Sequence, residues 1–237
     1  MSKKHSAFKF KRFTIEQAGC AMKINTDGVL LAATAFKENA QRILDVGTGT
    51  GVIALMLAQR FESAKINAVE IDEQAAVTAT GNAKKSVFSD RIEVFHSAFE
   101  DFDTDLRYDM IVSNPPFFVN DLRSEEERKG IARHADEGFF FKFIQKSNIL
   151  LTEDGEIWLI VPVKQAENIV EIASDFNLNL MQRIKIHSDK SKPPFRMMIC
   201  LSRGSKDLAE RDFYIYESLK MHTREYKLLL KDFFLNY

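Results

Sequence analysis

The stretch Ile43-Leu44-Asp45-Val46-Gly47-Thr48-Gly49-Thr50-Gly51-Val52-Ile53-Ala54-Leu55 runs from an apolar strand signal through three glycines into a helical apolar pattern. Glycine at 47, 49 and 51 permits a tight turn and lets the backbone approach a ligand with no Cβ in the way. The first amides of the following helix stand ready as donors. The spacing discriminates between nucleotides. A dinucleotide site asks for G-x-G-x-x-G with the helix start facing a pyrophosphate, whereas Val52 here stands where that third glycine belongs. Asp45 points the same way, because a carboxylate just ahead of the glycines repels phosphate and suits a ligand with a cationic amino-acid end, as S-adenosylmethionine has. On its own the stretch also fits an ordinary strand-to-helix turn.

Beyond this turn the chain alternates. Strand signals at 65–71, 91–95, 108–113 and 156–162 are separated by helical patterns at 52–60, 73–86, 138–151 and 164–176. This predicts an α/β fold with a mostly parallel sheet and helices on both faces. Met110-Ile111-Val112 and Ile157-Trp158-Leu159-Ile160-Val161 are continuously apolar, as strands covered on both sides should be. Ligands in such sheets lie beyond the carboxyl ends of the strands, so those ends carry the candidate site.

The second strand ends at Glu70-Ile71-Asp72, with Glu70 nineteen residues past Gly51, where a carboxylate can accept from both ribose hydroxyls. After the third strand, Ala98 and Phe99 are placed to hold an adenine. The fourth strand ends in Ser113-Asn114-Pro115-Pro116-Phe117-Phe118. Two prolines remove two backbone donors and stiffen the turn, which leaves the carbonyls of Asn114 and Pro115 as outward acceptors. With the Asn114 side chain and the flat ring of Phe117, the turn suits a planar group bearing an NH₂. A rigid Pro-Pro loop is the plainer reading of that stretch taken alone.

Upstream, Thr26 or Asp27 can cap a helix beginning at Val29-Leu30-Leu31 and so place its first amides near the same ligand. Residues 1–12 hold Lys3, Lys4, Lys9, Lys11 and Arg12 and no acid, with Phe8 and Phe10 between them, a combination suited to RNA and equally to a solvated tail. Between 183 and 196, five cations including Lys190, Lys192 and Arg196 face the single acid Asp189. Residues 118–137 read as a long connection, either a substrate-capturing lid or a solvated loop with room for a short helix of i,i+4 ion pairs.

The 237 residues are 45% hydrophobic, enough for one domain. Their expected divisions are an amino-terminal segment over 1–39, a core over 40–204 and an extension over 205–237. Two cysteines form no disulfide framework, and no apolar run would span a bilayer. The expectation is a cytoplasmic monomer. The five histidines show no paired ligand spacing, so no metal is expected. A net charge of −1 gives no overall sign of nucleic-acid binding, which leaves local patches to supply it.

Asp45 to Gly51 together with Asn114-Pro115-Pro116-Phe117 resembles the amino-methylating S-adenosylmethionine-dependent methyltransferases of the Rossmann-like kind. More narrowly, Met22 to Leu31, Arg133-His134, Lys192-Pro193-Pro194-Phe195-Arg196, Glu225-Tyr226 and Leu230 to Leu235 are similar to bacterial enzymes that methylate N6 of adenosine 37 in a valine tRNA. Many of those relatives carry Tyr where Phe117 stands. The resemblance implies a seven-stranded sheet of order 3-2-1-4-5-7-6 with the seventh strand antiparallel, the last strands falling at 179–187 and 195–202. It implies S-adenosylmethionine held by Thr26, Asp27, Asp45, Gly47, Thr48, Gly49, Gly51, Glu70, Ile71, Ala98, Phe99 and Asn114. Asn114, Pro115, Pro116 and Phe117 would carry the chemistry, and tRNA would meet Lys9, Lys11, Arg12, Arg133, His134, Lys190, Lys192 and Arg196. A methyltransferase of another RNA or of a protein glutamine amide, or an RNA-binding module without chemistry, are the alternatives.

Overall fold

A computed structural model describes residues 7–20, 22–115, 125–204 and 207–237, with backbone alone from 125 to 137. Its main sheet has eight strands: β1 (Arg42–Val46), β2 (Lys65–Glu70), β3 (Ile92–His96), β4 (Tyr108–Ser113), β5 (Leu151–Val161), β6 (Asn179–His187), β7 (Pro194–Ser202) and β8 (Ala209–Tyr214). Their order is β8-β6-β7-β5-β4-β1-β2-β3. Only β7 runs against its neighbours. The expected seven strands are therefore one short, because β8 adds a parallel strand outside β6.

Among the described residues the helices are α1 (Thr26–Thr34), α2 (Val52–Arg60), α3 (Glu73–Lys85), α4 (Glu125–Leu150), α5 (Val163–Asp175) and α6 (Arg224–Leu230). Alternation along the strands sorts the core into two layers. Ile43, Met110, Val112, Trp158 and Ile160 pack with α1, α2 and α6, while Leu44, Ile111, Ile157, Leu159 and Val161 pack with α4 and α5. Burial on both faces explains why β4 and β5 read as unbroken apolar runs.

Two boundaries depart from expectation. Helix α4 begins at Glu125 rather than 138, so from residue 125 the 118–137 connection is helical and continuous with α4, more than the short helix of i,i+4 ion pairs its charges allow. Asn25, not Thr26 or Asp27, caps α1: its Oδ1 accepts from the Gly28 amide at 2.8 Å. Arg60 closes the other end of α1 by donating to the carbonyls of Ala32 at 2.6 Å and Ala35 at 2.5 Å.

Of the amino-terminal aromatic residues, Phe10 belongs to the core while Phe8 is exposed. Phe10 is buried and stacks on Phe13 at 4.5 Å, and Phe8 and Phe10 both meet Phe234 near the carboxyl terminus.

Candidate active site

Strands β1, β2 and β4 end side by side, and the glycine turn leaves β1 along that edge. The amides of Gly47 and Thr48 donate to the Val69 carbonyl at 2.8 and 3.2 Å, and the Gly51 amide donates to the Thr48 carbonyl at 2.9 Å. Gly47, Gly49 and Gly51 take φ values of 73°, 55° and 81°, the left-handed region that disfavours other residues. Their surroundings differ. A Cβ at Gly51 would stand 3.3 Å from the Ala79 Cβ on α3, whereas at Gly47 or Gly49 it would enter open space.

That open space is a cavity of about 230 Å³. Gly47, Gly49, Glu70, Asp72, Ser97 and Asn114 give it polar edges, and Val69, Ile71, Phe99, Phe139 and Phe143 give it apolar walls. Glu70 braces the turn: its Oε2 accepts from the Gly49 amide at 2.8 Å and its Oε1 from the Asp72 amide at 3.0 Å. Each oxygen keeps acceptor capacity for a further donor, such as a ribose hydroxyl.

Asp45 lies behind the turn and does not line the cavity. Its Oδ2 accepts from Thr48 Oγ1 at 2.6 Å and from the Ala54 amide at 3.1 Å, tying strand to helix. No described group donates to its Oδ1. Burial raises the carboxyl to about 7, against the opposing pull of the Thr48 and Ala54 donors. This corrects the expectation that Asp45 faces the ligand's cationic end.

Asn114 follows directly on β4, at the cavity wall. The Gly28 amide is a donor, so Asn25 must present its oxygen there; that same oxygen meets Asn114 at 3.3 Å, so Asn114 must present its nitrogen. The Asn114 Oδ1 is consequently left on the other side, buried and with no donor among the described residues.

Of the expected ligand residues, Gly47, Gly49, Glu70, Ile71, Phe99, Asn114 and Pro115 line the cavity. Thr48 and Gly51 stand behind the turn, and Thr26, Asp27 and Ala98 are not on the lining. Asp27 instead holds Arg196, whose Nε lies 2.7 Å from its Oδ2, so Arg196 is no freely displayed phosphate contact. Lys11, though exposed, is likewise engaged and donates to the carbonyls of Lys231 and, at 2.8 Å, Tyr237. Arg12, itself exposed, lies over the Phe88 ring at 5.1 Å, and Lys9, Lys190 and Lys192 are exposed as well. Pro116 and Phe117 lie outside the described residues, as do the side chains of Arg133 and His134.

Sequence reasoning missed Cys20, Asp72, Ser97, Phe139, Lys142 and Phe143 on the lining. The run Phe139 to Phe143 carried a signal, since 139 and 143 share one helix face. It missed Asn82 as well. That buried side chain donates to the carbonyls of Thr50 and Glu16 and accepts from the Glu16 amide, all at 2.9 Å, clasping the turn to the amino-terminal segment. Among the described residues no group of His, Cys, Asp or Glu could hold a metal ion.

A family model described as "Methyltransferase small domain" matches residues 19–179. A tRNA1(Val) (adenine(37)-N6)-methyltransferase of Pedobacter heparinus is 54% identical over 230 residues, covering 97% of this chain and 98% of the relative. One of Actinobacillus pleuropneumoniae is 38% identical over 234 residues, with 98% and 99% covered. Among solved structures, one described as a predicted O-methyltransferase from Agrobacterium tumefaciens superposes with a TM-score of 0.69 at 20% identity, covering 87% of this chain and 96% of its own. At that identity the likeness speaks for the fold alone.

Proposed function

From a chain that belongs to the methyltransferase small domain family, and within it to the tRNA1(Val) (adenine(37)-N6)-methyltransferases, we propose transfer of a methyl group from S-adenosylmethionine to N6 of adenosine 37 in a valine tRNA. The residues present fit that cofactor. Gly47 and Gly49 leave a cradle that any Cβ would invade, and Glu70 keeps acceptor capacity for ribose hydroxyls. Ile71 and Phe99 supply apolar surface for the adenine. When bound, S-adenosylmethionine supplies an electrophilic methyl group on its sulfonium.

The observation that carries the reading is the Asn114 Oδ1, a buried acceptor with no described donor at the end of the strand beside the glycine turn. An unsatisfied buried acceptor is unfavourable by about 1–3 kcal/mol, which an incoming amine hydrogen relieves. Accepting from the adenine amine, together with the Pro115 carbonyl, orients the nitrogen and favours the pyramidal geometry in which its lone pair leaves conjugation with the ring. The neutral amine then needs no separate base to begin attack. Phe117, outside the described residues, is assigned by resemblance to stack on the extruded base. Lys9, Lys190 and Lys192 are exposed cations that can meet phosphates, and a tRNA substrate goes with a cytoplasmic place of work.

The test is direct. Purified protein, S-adenosylmethionine and unmodified valine tRNA transcript are incubated, and nuclease fragments are examined by mass spectrometry. N6-methyladenosine at position 37 is expected, with none in a transcript bearing guanosine there. A methyl group placed elsewhere, or none, overturns the assignment.

A further inference from the structure

We infer that Asn25 is a positioning residue for methyl transfer, acting through Asn114; this rests on the amine-methylating reading of the site. Asn25 serves two partners with one oxygen. It caps α1 by accepting from the Gly28 amide at 2.8 Å, and it accepts from the Asn114 Nδ2 at 3.3 Å. A free primary amide can rotate by half a turn at little energetic difference, exchanging oxygen for nitrogen. At Asn114 such a turn would replace the acceptor needed by the substrate amine with a donor that repels it. The fixed oxygen of Asn25 forbids the exchange, because the turned amide would set two oxygens against each other. The cap thus transmits its polarity to the site: the Gly28 N–H fixes Asn25, and Asn25 fixes Asn114.

The segment bearing Asn25 is itself anchored. Asp27, two residues on, is buried and paired with Arg196 at 2.7 Å, and Gly28 lies beside Ile53 of α2, which a Cβ there would meet at an ordinary contact distance of 3.5 Å. Asn25 is exposed to solvent, so replacing it does not hollow the core.

Two substitutions separate capping from positioning. Ser is as good a cap as Asn but its shorter side chain does not reach Asn114, whereas Asp can cap and still present an oxygen to the Asn114 Nδ2. Asn25→Ser is expected to keep the parental melting temperature and affinity for S-adenosylmethionine, yet to lower the single-turnover rate at saturating tRNA about ten- to a hundredfold. Asn25→Asp is expected to restore most of that rate. If Asn25→Ser methylates at the parental rate, or if Asp and Ser are equally slow, the inference fails. Failure of the parental enzyme to methylate valine tRNA would instead overturn the functional reading, so the two outcomes are distinguishable.

Discussion

Arg196 reaches across 169 positions of sequence to place its Nε 2.7 Å from the Asp27 Oδ2, joining the start of β7 to the first turn of α1. The carboxylate side chain is 11% exposed and the guanidinium side 24%, so water compensates poorly for loss of the cation. Arg196→Ala should lower stability by about 1–3 kcal/mol, less than for a fully buried pair because the arginine is partly solvated. Adding Asp27→Asn should recover part of the loss. Thermal unfolding of both single variants and the double variant checks this, and strictly additive losses would refute the coupling.

The glycines of the turn should separate binding from stability. Gly47→Ala places a methyl group in open cavity, so S-adenosylmethionine affinity should fall by more than the melting temperature suggests, although the φ of 73° adds strain. Gly51→Ala drives a methyl group toward Ala79 at a φ of 81° and should chiefly destabilise, by about 1–3 kcal/mol. Calorimetric titration beside thermal unfolding distinguishes the two patterns.

Asp45 predicts a pH dependence. Its folded pKa of about 7 lies above the ordinary 3.8, so the folded state keeps a proton that the unfolded chain has already released. The contribution of this site is full below about pH 4, declines between about pH 4 and pH 7, and is flat above. Asp45→Asn carries no such proton. The stability of the variant relative to the parent should therefore rise across that window, by a few kcal/mol (about 1.4 per pH unit). Urea unfolding over a pH series measures it; a difference independent of pH would mean that Asp45 is ionised throughout.

Asn114→Ala should leave S-adenosylmethionine binding nearly intact and lower methyl transfer about a hundred- to a thousandfold, the scale for one preorganised transition-state contact of about 2.7–4 kcal/mol. Single-turnover measurement at saturating tRNA tests this. A parental rate would remove Asn114 from the chemistry.

Lys9 and Lys11 should behave differently despite their shared charge. Lys9→Ala should shallow the salt dependence of tRNA binding, since an exposed cation releases counterions from the phosphates it meets. Lys11→Ala should leave that slope unchanged and loosen the carboxyl-terminal segment, whose Lys231 and Tyr237 carbonyls it holds. Salt titrations and hydrogen exchange at residues 231–237 report the two effects.

What could be read from sequence was local chemistry. The glycine turn, Glu70 and Asn114 stand where their spacing from strand ends put them, because a strand end and the turn after it are neighbours in the chain as well as in space. What could not be read was set by distant partners. Nothing near Arg196 or Lys11 marks them as engaged, since Asp27 and the carboxyl-terminal carbonyls lie far away in sequence. Likewise Asn82 resembles any helical asparagine until the fold brings Glu16 and Thr50 to it. The true start of α4 is hard to read because its charged residues fit a solvated loop as well as a helix, and β8 is hard to read because Ala209-Glu210-Arg211-Asp212 has no apolar alternation.

That eighth strand has a consequence for solubility of the chain. By pairing with β6 from Gln182 to His187, β8 takes over the outer margin of the sheet. It is short and carries Glu210, Arg211 and Asp212, with ion pairs from Arg183 to Glu210 and from Arg211 to Glu225 holding it in place. A charged, brief margin discourages strand-to-strand association between molecules. Cutting the chain before residue 207 would bare β6, a nine-residue strand whose backbone amides and carbonyls would then lack partners along one side. A shortened chain of this kind should recruit strands from its own copies and form aggregates.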